Sequence, residues 1–330
     1  MTGWTLDPDG KHLTWSDGCG IGRVRLLGTR EIASFPLQQI KRVRLVRRAD
    51  GYYAQFVVEA KRRVEHRPTG KQVGIDVGLN AYYTDSTGAR VENPRYLRQS
   101  EQCMRMLNRR LSRKSIHHQR GRKPKHNHAA RQRAKQNKYP RQTMSPVATT
   151  TQETSASVSA QVSSQRVRAP KPPKQSANWH KARVALARRH LTIQRQREDF
   201  ARKQANALVS SHDLIALEDL QVRNLVKNRH LAKAISDASW ATFRYWVEHY
   251  GQVRGIPVIA VPPRYTSQRC SRCGTLVMKS LSVRTHICPS CCLILDRDQN
   301  AASNILTAAL NQGTRAAKQD YHRTVGHTET

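Results

Sequence analysis

Two cysteine pairs constrain this chain more than any other feature. Cys270-x2-Cys273 and Cys288-x2-Cys291 are separated by fourteen residues. Each pair offers two thiolates from one tight knuckle, and four thiolates at that spacing suit a closed, tetrahedral Zn2+ site that staples a small ribbon-like fold rather than doing chemistry. The intervening residues suit a short hairpin. The plainer alternative is four unrelated buried thiols. Cys292 is a spare thiol beside the last candidate ligand and could replace Cys291, while Cys19 and Cys103 read as structural or incidental. The opening residues lack a basic-then-apolar-then-small leader, so paired cysteines point to metal in a reducing, internal compartment rather than to disulfides.

Charge narrows the partner. Lys and Arg number 58 against 23 Asp and Glu, a formal net charge of +35. Self-repulsion on that scale opposes a compact state unless a polyanion neutralises it. Nucleic acid is the expected polyanion, because Lys and Arg contacts to phosphates release condensed counterions; a membrane surface or an acidic protein is the alternative. No stretch approaches the run of about 20 apolar residues that spans a bilayer.

Along the chain, about residues 12–64 read as β structure. Ile40 to Val46 and Tyr53 to Val58 flank an Asp50-Gly51 turn, a hairpin signal whose basic residues would share one face. Val73 to Leu79 followed by Ala81 to Asp85 predicts a second hairpin. Between Arg98 and Arg141 lie 15 Lys or Arg and one acid, Glu101, with Leu97, Met104, Leu107 and Leu111 at helical spacing. Residues 143–165 hold eleven Ser or Thr, so about 140–178 is expected to be a disordered loop. A second basic helix is expected over 179–210, with Val184, Leu186, Leu191, Ile193, Phe200 and Leu208 as core contacts. Strands are expected at Leu214 to Leu217 and Val258 to Val261. A helix over Ala238 to Arg254 carries Trp240, Phe243, Trp246 and Tyr250, read as core rather than as a base-stacking platform.

Three acids stand out by context. Asp76 sits inside an apolar strand, where an unpaired charge is costly. Glu218 ends the next buried strand, and Asp298 lies at the mouth of an Ala-rich helix. Acids so placed can converge on one crevice around two Mg2+ or Mn2+ ions about 4 Å apart. Singly, each has a duller reading: Asp298 or Asp296 as an N-cap, Glu218 as a solvated strand-end acid.

In combination these segments resemble the TnpB (OrfB) family of transposon-encoded, RNA-guided RuvC-type endonucleases, relatives of the type V CRISPR effectors. Gly74-Ile75-Asp76-Val77-Gly78-Leu79 resembles the family's first RuvC motif, and Ile215-Ala216-Leu217-Glu218-Asp219-Leu220 the second. Tyr265-Thr266-Ser267-Gln268 leading into Cys270 resembles its zinc-ribbon entry. Asp296-Arg297-Asp298 with Asn300, Ala301, Ala302, Asn304 and Ile305 resembles its third motif.

The resemblance implies an α/β fold: an RNase H-like (RuvC) domain over 71–310 with an inserted zinc ribbon at 264–295, preceded by a partial β-barrel, wedge-like segment at 1–70 and followed by a tail at 311–330. Basic helices at 95–142 and 179–210 would carry nucleic-acid contacts, with Arg105, Arg109, Arg110, Arg113, Lys114, Arg188, Arg189 and Arg195 as candidates. Asp76, Glu218 and Asp298 would bind Mg2+ as catalytic acids, and Cys270, Cys273, Cys288 and Cys291 would bind Zn2+. Guide RNA and target DNA are the implied partners, in a prokaryotic cytoplasm in association with the nucleoid. Three features depart from the pattern: much of the strand and helical lobe that usually open such chains is missing, the insertion at 140–178 interrupts a region normally continuous and helical, and Cys292 stands where the family usually has Gly. A cleavage-incompetent remnant or guide-dependent repressor, or a DNA-joining transposase, are the alternatives.

Overall fold

The apolar run around Ile75 and the one around Ile215 pair with each other, and that pairing organises the larger part of the protein. The computed structural model describes residues 3–115 apart from 17, 19, 29–31 and 61–62, and residues 175–325 apart from 281. By chain contacts it divides into two units, 1–104 with 187–330, and 105–186.

The larger unit is built on a five-stranded mixed sheet. β6 (Gln72–Val77) lies at its centre, antiparallel to β7 (Ala81–Asp85), which continues into β8 (Arg90–Glu92). On its other side β6 runs parallel to β9 (Leu214–Glu218), and β9 parallel to β10 (Val258–Val261). Strands covered on both faces read as near-continuous apolar runs, and Val73, Ile75, Ile215, Ala216 and Leu217 are all buried here.

Each face is covered by helices whose apolar residues recur at helical spacing. On one side lie α2 (Ala177–Ser210) and α5 (Trp240–Arg254). Their Phe200, Ala201, Ala205, Leu208, Phe243 and Val247 pack on Tyr82, Tyr83 and the strand residues. Tyr83 stacks on Phe243 at 5.5 Å between ring centres, and Tyr82 meets Phe200 edge-on at 4.9 Å. The expected core role of the aromatic helix is met. That helix starts later than expected, because Ser239 takes a left-handed φ of 55° between α4 (Ala232–Ala238) and α5.

On the opposite side lies α6 (Arg297–Val325), with Ile305 and Ala309 against Ala216 and Val261. The approach is closest at Gly74: a Cβ built there would stand 2.1 Å from the Ala302 carbonyl oxygen and 2.8 Å from the Leu306 nitrogen. Only glycine lets helix and strand meet at that distance. The backbone of α6 also runs on through much of the stretch expected as a tail.

α1 (Tyr96–Lys114) is anchored at its start by a group outside it. The buried Asp237 carboxylate on α4 accepts from the Leu97 and Arg98 backbone N–H groups and from Arg197 of α2, whose closest contact is 2.7 Å. Orphan donors of a helix N-terminus are thereby satisfied in trans, and the charge is paired.

Before the main sheet come two separate antiparallel sheets rather than the expected partial barrel. One is β1 (Trp4–Leu6), β2 (His12–Trp15) and β3 (Gly22–Arg25); the other is β4 (Ile40–Arg47) with β5 (Tyr52–Val58). They share one apolar cluster around Leu13, Ile40 and Val43, with no strand pairing between them among the described residues. A bulge between Ile40 and Arg42 shifts the register of β4, so its basic residues do not follow a simple alternation.

The smaller unit, in its described part, contains the second half of α1 and the opening turns of α2. Arg105, Arg109, Arg110 and Arg113 are exposed there, as the cationic reading expected. Val184 is a correction: it is 40% exposed while Ala182 is buried, so the apolar stripe at that end of α2 runs through the alanine. The expected loop at 140–178 lies almost wholly outside the described residues, and α2 begins at Ala177, inside its stated bounds. Among the described residues no helix is long and apolar enough to cross a membrane.

We predict that Gly74→Ala lowers stability by about 2–3 kcal/mol or more, since the clash is with backbone and cannot be relieved by a rotamer change. A urea or thermal midpoint equal to that of the parent chain would contradict the close approach.

Candidate metal centres

Asp76 and Glu218 arrive side by side because their strands are parallel neighbours in register. The Ile75 and Leu217 pair is the last in the β6/β9 ladder, and the next residue on each strand is the acid. Asp298 comes from the first turn of α6, one turn before the Ala302 contact at Gly74. The competing N-cap reading belongs to its neighbour: Asp296 Oδ1 accepts from the backbone N–H of Asp298 at 2.9 Å and of Gln299 at 3.4 Å. Asp298 is therefore free of the capping role.

The three carboxylates are half-buried. The Asp76 carboxyl is held well above the usual carboxylate range, first by burial, then by the charges of Glu218 and Asp298, with Arg284 and Arg297 opposing. Burial also raises Glu218, against a hydrogen bond from the Thr266 hydroxyl at 2.5 Å. Asp298 is paired with Arg284, and Asp296 with Arg90. Their oxygens are not all within the 4.8 Å of one another that encloses the cysteine cluster described next. Carboxylate oxygens are hard donors of the kind that suit Mg2+ or Mn2+.

The four cysteines converge closely. Their Sγ atoms all lie within 4.8 Å of one another, with Cys270 and Cys291 3.6 Å apart and Cys273 and Cys288 3.5 Å apart. A tetrahedron with Zn–S bonds of about 2.3 Å has edges of about 3.8 Å, so the donor set fits zinc. The hairpin differs from expectation: β11 (Thr285–Ile287) and β12 (Ile294–Asp296) straddle the second CxxC instead of lying between the pairs. The first pair sits in a knuckle closed by a bridge between Arg269 and Leu276. Cys292 is exposed and holds a left-handed φ of 57°, a conformation that favours glycine.

Sequence reasoning quoted Asn300 and Asn304 without a role and gave none to Arg297, Arg284 or Thr266. The buried Asn300 accepts from Ser271 N–H at 2.9 Å and donates to the Arg269 carbonyl at 2.8 Å. Asn304 donates to the Thr266 and Arg269 carbonyls. Arg297 donates to the Ser280 carbonyl at 2.8 Å. Together they fasten the cysteine module to α6. Two asparagines one turn apart in an Ala-rich helix were the available signal, because amides on an otherwise apolar face need partners.

Of the candidate nucleic-acid contacts on α2, Arg188 is exposed and donates to the Ala49 carbonyl. Arg189 donates to Ser100 Oγ at 2.7 Å, and Arg195 pairs with Asp50 and the Tyr53 hydroxyl, each at 2.7 Å. The last two are occupied within the protein. Lys114, at the end of α1, is half-buried.

Comparison with known proteins gives the family. The family described as a probable transposase, OrfB_IS605, matches residues 55–154 and 155–229, and the domain described as Cas12f1-like, TNB matches residues 240–305. A Streptomyces pristinaespiralis protein named "Putative RNA-guided DNA endonuclease" is 31% identical over 244 residues, covering 73% of this chain and 46% of that protein. The Escherichia coli K12 "Putative RNA-guided DNA endonuclease InsQ" is 34% identical over 149 residues, covering 40% of this chain and 37% of that protein. The chain therefore spans less than half the length of these relatives. Among solved structures, a Cas12f1–sgRNA–target DNA complex aligns with a TM-score of 0.37 and 13% identity, covering 80% of this chain and 55% of that one.

Two substitutions separate the adjacent thiols. Cys291→Ser is expected to drop zinc well below one ion per chain by elemental analysis. Cys292→Gly should keep the ion and gain about 1 kcal/mol from relief of the left-handed backbone. Zinc lost from the Cys292→Gly protein instead would make Cys292 the ligand.

Proposed function

The chain belongs to the OrfB_IS605 (TnpB) family of transposon-encoded proteins, and on that premise we propose that it is an RNA-guided, Mg2+-dependent DNA endonuclease with an RNase H-like (RuvC-type) domain. One observation carries the reading: Asp76 and Glu218 stand side by side, each one residue past the Ile75 and Leu217 pair that closes the β6/β9 ladder, and burial raises both carboxyls. A protein that keeps three acids around one crevice at that electrostatic cost gains from a cation that offsets it. The mixed sheet, antiparallel on one side of β6 and parallel on the other, is in keeping with such a domain.

Asp76, Glu218 and Asp298 would hold the divalent ions. When bound, these would supply an activated water and neutralise charge on the leaving 3′ oxygen of a DNA phosphodiester. Thr266 orients Glu218 by donating to it. Arg284 balances Asp298 and brings a guanidinium to the same crevice. The thiolate cluster would hold Zn2+ structurally, fixing through Arg297, Asn300 and Asn304 the start of the helix that bears Asp298. The excess of positive charge suits a guide RNA and target DNA, and base pairing would supply the sequence specificity.

A second reading, binding of nucleic acid without cutting, is an outcome of the test that follows.

The protein purified with its co-expressed RNA and incubated with target plasmid and Mg2+ should give linear product. Asp76→Ala, Glu218→Ala and Asp298→Ala should each lower cutting by at least about 100-fold while leaving nucleic-acid retention unchanged. No linear product from the parent chain would favour the second reading. A metal readout stands apart from activity. Asp76→Asn should melt higher than the parent in EDTA, since it removes a buried charge. Added Mg2+ should raise the parent's midpoint and move that of Asp76→Asn much less. Equal Mg2+ shifts in both proteins would remove Asp76 from the ion site.

A further inference from the structure

A cavity of about 350 Å³ opens directly beside Glu218, between the end of β9, the short helix α3 (Val222–Leu225) and the start of α5. The roles assigned so far leave it unused. Its walls are mainly aromatic and aliphatic, with Trp240, Phe243, Tyr245 and Leu220 among them, and its volume is at the small end of ligand pockets.

Two exposed side chains that line it point to an occupant. Tyr245, at 59% exposure, presents a ring to solvent at the same cavity. Arg223 also lines it, exposed and with no ion pair among the described residues. Arg244, by contrast, is held by Asp219 and Glu248. The occupant that answers these is flat enough to stack and bears a negative charge.

We propose that this cavity receives one unstacked base of the DNA strand whose phosphodiester lies at Glu218, so that stacking in the cavity sets which phosphate faces the acids. The inference rests on the reading that a DNA strand reaches this crevice. Stacking on aromatic side chains is tolerant of sequence, so the cavity would fix position along the strand without reading the base. Arg223 would meet a neighbouring phosphate.

The test is photo-crosslinking of the protein, with its copurified RNA, to target DNA carrying 5-iodo-2′-deoxyuridine at each position in turn, with Ca2+ in place of Mg2+. One position should crosslink to the segment from Trp240 to Tyr245. Ala241→Leu, which fills the cavity from an exposed helix position, and Tyr245→Ala should each cut that yield about tenfold, with overall DNA retention changed by less than about twofold. Crosslinks that map elsewhere, that survive Ala241→Leu, or that arise from iodouridine in the RNA instead would overturn the proposal. Cutting is read separately in Mg2+. A crosslink without cutting keeps the cavity and removes the nuclease, and cutting without a crosslink does the reverse.

Discussion

The contact between Gly74 and the backbone of α6 sets the geometry on which the candidate site depends. A strand and a helix normally stay apart by the bulk of their side chains. Here Gly74 has none, and Ala302 sits opposite. The helix therefore lies almost on the strand, and its first turn delivers Asp298 to the end of β6 where Asp76 stands. Sheet register does the remaining work, since parallel pairing of β6 and β9 aligns Asp76 with Glu218. One missing side chain and one ladder thus set where the three acids stand.

Electrostatics then works against the fold that geometry has made. Burial and mutual repulsion both disfavour the charged form of Asp76. The protein answers partly with its own cations: Arg284 on Asp298 and Arg90 on Asp296. Arg284 directly precedes β11, so its pairing with Asp298 ties the cysteine hairpin to that acid.

Much of this was legible in the residues because the signals were local. Period-two and continuous apolar runs marked β4 to β7, β9 and β10, and the repeated CxxC marked the thiolate cluster. What escaped was set by distant partners. α4 is short and mixed in pattern, yet its Asp237 caps α1 from more than a hundred residues away. Asp296 and Asp298 could not be told apart as caps until the backbone donors were placed. Strands β1 to β5 carry no mark of which sheet they join. Val184 was misjudged because helical spacing alone does not say where an apolar stripe fades near a helix end.

Chain order adds a temporal side to the Gly74 contact. β6 is made early, but its parallel partner waits until Leu214 and its neighbours are synthesised, and the helix covering its other face waits for Ala302 and Leu306. Pairings between such remote segments close slowly and late. During translation the three acids cannot be together until nearly all of these residues have left the ribosome. Any chemistry that needs all three acids would therefore wait for the segment that bears Asp298.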